Sequence, residues 1–147
     1  MSFADFKKTY RLPDWNVLNE QFEIGKLEEN SDVLRQILKK TMEKIEFWTR
    51  FCEELVQPEN LHSLQEADTL DEFEKKQALT LYRELMYYHR LCLEKELQGH
   101  PEGQATTIKQ CSAEWPKLKE QILKLLKHVK EGWNTEKKHK EAETYFG

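Results

Sequence analysis

The stretch ALTLYRELMYYHRLCLEKEL, Ala78–Leu97, decides the fold. At about 100° per residue, Tyr88, Leu81, Cys92, Leu85, Ala78, His89, Tyr82, Leu93, Met86, Leu79 and Leu97 fall within one half of a helical wheel, interrupted only by Glu96. Half a cylinder of apolar surface needs more than one neighbour. The opposite half carries Arg90, Arg83, Glu94, Tyr87, Leu91, Glu84 and Lys95, so this helix is expected between two partners with one face in water. That arrangement is a helical bundle.

Composition agrees with an all-α chain. Only 5 Gly and 4 Pro occur in 147 residues, and 34% of the chain is charged, much of it Glu and Lys, which favours long helices over a turn-rich β fold. A hydrophobic content of 38% suffices for one modest core. The start, MSFADFKKTY, has no apolar leader and no window is apolar enough for a membrane span, so a soluble cytoplasmic protein is expected, with no membrane partner. Three Cys without a CxxC spacing fit reduced thiols.

Either side of the central stretch the chain divides into segments. Residues 1–30 form an aromatic-rich arm, with Phe3, Phe6, Tyr10, Trp15 and Phe22 beside Leu12, Val17, Leu18, Ile24 and Leu27. Within it Asp14 suits the cap of a short helix through Phe22, and Gly25 its end. The arm is expected to lie in a groove between the long helices. A first long helix spans 31–56 with Ser31 as N-cap; Leu34, Leu38, Thr41, Ile45, Trp48, Cys52 and Leu55 make a coiled-coil-like seam, and Phe47 and Phe51 a flanking ridge that could receive the arm.

Residues 57–68 read as a loop with one short turn. Thr69 with Glu72 three residues on then opens the second helix, 69–98, as a capping box. GHPEG at 99–103 stops it, and the third helix, 104–133, carries the seam Ile108, Cys111, Trp115, Leu118, Ile122, Leu125 and Val129, broadened by Leu126 and Trp133. Pro116 interrupts this seam without shifting its phase, which predicts a kink and not a break. The charged tail, 134–147, reads as a short helix or as disordered. Short connections make the order up-down-up, an antiparallel three- to four-helix bundle, with Cys92 and Cys111 at one end and Cys52 roughly 27 Å away along the axis.

Charge is uneven along the chain. Residues 1–103 hold 14 basic against 21 acidic side chains, whereas residues 104–140 hold nine against four. An acidic body paired with a basic C-terminal third is the simplest reading. Lys117, Lys124, Lys127 and Lys130, continued by Lys137, Lys138 and Lys140, give that third an exposed basic side and so a nucleic-acid alternative; the aromatics Trp115 and Trp133 fall on its core side.

Two other constellations carry chemistry. His89, Cys92 one turn on and Cys111 across the seam could begin a metal site, with core packing as the competing account. Arg83 and His89 give an Arg-x5-His spacing that resembles the short signature of HEPN ribonucleases, which are small helical proteins. That resemblance implies RNA cleavage by this pair. In a straight helix the two side chains point about 120° apart, so the pair requires a break near Tyr87. The Glu-x-x-His pairs Glu59–His62 and Glu136–His139 resemble half of a ferritin-type di-iron motif, but fall in a connection and in the tail.

No Gly-rich phosphate loop, GxSxG or HExxH is present. The leading expectation is therefore a protein–protein interaction module, an adaptor or a subunit of a larger assembly, with no cofactor. Phe3, Phe6, Tyr10, Trp15 and Phe22 are the preferred contact residues for a protein partner or self-association. The physical alternative is that they complete the chain's own core and another face binds.

Overall fold

The computed structural model describes residues 2–25, 27 and 32–134. The chain is all-α, with the elements α1 (Phe3–Tyr10), α2 (Trp15–Phe22), α3 (Val33–Val56), α4 (Leu61–Asp68), α5 (Glu72–Gln98) and α6 (Pro101–Gly132). Each of the long helices α3, α5 and α6 packs on the other two, the α3–α5 pair most extensively. The central stretch lies in α5, between α3 and α6 as its wide apolar arc requires.

Helix boundaries follow local hydrogen bonding. Ser31 lies outside the described residues; α3 is capped by Asp32, whose carboxylate accepts from the Arg35 N–H at 3.2 Å. α5 opens two residues later than the Thr69–Glu72 box would place it. The Glu74 N–H donates to Asp71 Oδ1 at 2.8 Å and the Asp71 N–H to Glu74 Oε1 at 3.1 Å, a reciprocal box. Thr69 serves the preceding helix instead, its hydroxyl donating to the Glu66 carbonyl at 2.7 Å. Gly99 ends α5 at φ 72°, and Pro101 at the first position of α6 starts that helix three residues earlier than the seam alone indicates.

The segment read as a loop is largely a helix. Asn60 accepts from the Ser63 N–H at 2.9 Å to start α4, and the small residues Ser63 and Ala67, one turn apart, are buried where α4 packs on α3 and α6. The end of α6 comes close to this helix: a Cβ added at Gly132 would stand 2.5 Å from Thr69 Cγ2.

The arm lies in the groove between α3 and α6, with α2 touching both and α1 resting on α6. α1 has its own capping box, Ser2 with Asp5, which the Asp5 carboxylate closes by accepting from the Ser2 N–H at 2.9 Å. That bond holds the Asp5 carboxyl below its usual range. Asp14 precedes α2 as expected, but its carboxylate pairs with Lys7 Nζ and makes no cap bond. Glu23, at φ 53°, ends α2 ahead of Gly25. Leu12, Leu18, Phe22 and Ile24 are buried, and Phe22 meets Trp115 at 5.5 Å between ring centres.

α6 runs unbroken through Pro116. Proline has no N–H to offer the Ser112 carbonyl one turn back. Gln21 of α2 replaces it: Nε2 donates to that carbonyl at 3.1 Å, while the Ser112 hydroxyl donates to Gln21 Oε1 at 2.5 Å. Arm and bundle are joined by this exchange as well as by apolar packing.

Candidate functional site

The arm aromatics divide by burial. Phe22 is 1% exposed and forms part of the core, so it is withdrawn from the set of partner-contact residues. Phe3, Phe6, Tyr10 and Trp15 are partly buried against the core, with Phe3 edge-on to Trp15 at 5.4 Å. The ridge expected to receive the arm is covered only in part: Phe51 is half-buried, as is its neighbour Trp48 of the seam, but Phe47 remains 64% exposed beside a shallow groove of about 280 Å³.

The Arg83–His89 pair does not assemble. α5 is continuous through Tyr87, so the break that the pair requires is missing; Arg83 is exposed and His89 half-buried. The arginine at His89 is its neighbour: Arg90 Nη1 donates to His89 Nδ1 at 2.6 Å. Burial, and then the Arg90 charge, push the His89 imidazole below its usual pKa, with Glu46 opposing. The buried arc of α5 is narrower than its apolar arc. It comprises Ala78, Leu81, Leu85 and Cys92, leaving His89 at its edge and Leu93 and Leu97 exposed.

Cys92 and Cys111 do meet, at 3.9 Å between sulfurs and at one level of the bundle. His89 does not join them: among the described residues, the only group of three ligand side chains brought together is Glu54, His62 and Glu66. The Cys92 contact and then burial raise the Cys111 thiol, and burial pushes Cys52 up to about 12. Burial of this kind favours the protonated thiol at Cys52 and Cys111 and disfavours a nucleophilic role for them. Packing accounts for them.

Lys117, Lys124, Lys127 and Lys130 are all exposed along α6. Lys124 pairs with Glu120 and Lys130 with Glu131, each at 3.8 Å. Lys137, Lys138 and Lys140 lie outside the described residues, as does the tail from residue 135. Trp133, expected on the core side, is exposed over part of its ring and donates from Nε1 to Glu66 Oε2 at 2.8 Å.

Sequence reasoning passed over the end of the bundle where α4 meets the start of α5. Phe73 is 68% exposed, Leu61 73% and Leu64 49%. Two grooves of about 360 Å³ each flank the first turns of α5. One, between α5 and α6, is lined by Phe73, Lys76, Leu81, Lys124 and Leu125; the other, towards α3 and α4, by Leu55, Val56, Leu64, Ala67 and Leu79. Phe73 stands within the α5 capping box, between Asp71 and Glu74, where helical periodicity has only begun, so the wheel built on residues 78–97 could not assign it a face.

Among the described residues, no helix is long and apolar enough to cross a membrane. Comparison with protein-family models, curated proteins and solved structures finds no match.

Proposed function

We propose that this chain is a protein–protein interaction module, an adaptor or a subunit of a larger assembly, which binds through the α4–α5 end of the bundle. The observation that supports this reading is the exposure of Phe73 and Leu64, each on one of the two grooves that flank the first turns of α5. Large hydrophobics exposed at the mouth of a groove are a common feature of contact surfaces. Lys76 and Lys124 beside Phe73 favour a partner segment that joins apolar to acidic residues. The arm is assigned to the chain's own core instead. A cytoplasmic site of action accords with three thiols in no CxxC spacing.

Site-specific photo-crosslinking in cells tests the proposal. A photoreactive residue at position 73 is expected to give discrete adducts with another protein or a second copy, whereas the same residue at position 40, on the exposed face of α3, gives none. Identical patterns from both positions would contradict it. A second reading, nucleic-acid binding, draws on the shared exposure of Lys117, Lys124, Lys127 and Lys130. It requires that a gel shift with single-stranded RNA weaken when Lys124 and Lys127 are replaced by Gln.

A further inference from the structure

The connection from α3 to α4 brings three metal-ligand side chains together. Glu54 lies in the last turn of α3, and His62 and Glu66, four residues apart, share one face of α4. Each offers one ligand atom, and the three atoms lie within 4.8 Å of one another. His62 Nε2 is 3.7 Å from Glu54 Oε2. Donors about 2.0–2.1 Å from a tetrahedral ion stand roughly 3.3–3.4 Å apart. Small rotations of long surface side chains close that difference. The other neighbour of His62 Nε2 is the Ser63 hydroxyl at 3.5 Å, a weak bond for an ion to displace.

A third element orients the set. Trp133, at the end of α6, donates to Glu66 Oε2 and so fixes the carboxylate from outside the cluster, as an outer-shell partner does. The nearby guanidinium of Arg50 is engaged with Glu46 at 2.8 Å. One imidazole nitrogen with two carboxylates suits a borderline divalent ion; Ca²⁺ and Mg²⁺ prefer oxygen alone.

We propose that Glu54, His62 and Glu66 form a divalent-cation site, with Zn²⁺ the best-fitting ion, that ties the end of α3 to α4. Three protein ligands leave a fourth position for water or for a group from a partner. The site uses His62 of the Glu-x-x-His pair with different carboxylates: Glu54 across the turn and Glu66 one turn on replace Glu59. Sequence spacing could not reveal this, because residues 57–68 read as a loop and the i, i+4 relation exists only once they are helical.

Calorimetric titration of the full chain, stripped with chelator and given Zn²⁺ alone, tests the site. Binding of one equivalent is expected, with a melting temperature that rises with Zn²⁺ concentration. His62→Ala and Glu54→Gln should each weaken binding at least tenfold, whereas His100→Ala leaves it unchanged. Glu54, His62 and His100 are exposed, so circular dichroism of these variants should remain that of the wild type. Absence of a saturable equivalent in the wild type would overturn the proposal. So would wild-type affinity in either His62→Ala or Glu54→Gln, which marks an adventitious ion only.

Discussion

Gln21 holds the N-terminal arm to the bundle through a bond that exists because of a proline elsewhere. Replacing it by Ala leaves the Ser112 carbonyl without its partner, an expected loss of about 1–3 kcal/mol. In a Pro116→Ala background residue 116 regains an N–H for that carbonyl, so the same change should cost clearly less; a double-mutant cycle in urea reads the difference. Gly132→Ala forces a Cβ against Thr69 where α6 meets the end of α4 and should cost about 1–3 kcal/mol. His89 sets a pH dependence. Its folded pKa is below the usual 6.5, so its contribution to stability is complete above pH 6.5 and is lost as pH falls through the lowered value. Denaturation midpoints between pH 7.5 and 5 should decline less steeply in His89→Asn than in the wild type.

At the scale of elements, the three long helices were legible because each repeats its apolar residues over many turns. The α6 seam is buried from Ile108 to Val129 as its spacing requires. Short elements gave no comparable period. α1 and α4 span eight residues each and are defined by caps, Ser2 with Asp5 and Asn60 on Ser63, more than by an apolar stripe. The candidate site was less legible than the fold. His62 and Glu66 acquire Glu54 and Trp133 as neighbours only when α4 forms and docks, and Phe73 gains its surroundings only when α5 packs on α6. Phe22 shows what packing decides: an aromatic read as a partner contact is instead buried against Trp115. Phe22→Ala should cost about 3–5 kcal/mol in a urea titration, whereas Phe73→Ser should change stability by less than about 0.5 kcal/mol.

For the whole molecule, charge complementarity runs along other lines than the halves of the sequence suggest. Ion pairs between elements join Arg35 and Lys39 to Glu96 and Lys44 to Glu23, His128 Nδ1 of α6 lies 3.0 Å from Glu74 Oε2 of α5, and Lys124 and Lys130 pair within α6. The lysines of α6 therefore face outward along a helix whose inner side is fully engaged. The arm belongs to the same cooperative body, since Leu18, Phe22 and Ile24 are buried with the long helices. Its removal should lower global stability, in contrast to a detachable binding peptide. Amide hydrogen exchange on the unmodified chain tests this most directly. Amides of α2 should be protected to within about tenfold of those in the centres of α3 and α6. Exchange of α2 within seconds, with α3 and α6 still protected, would contradict its place in the core and return the arm to the role of a partner contact.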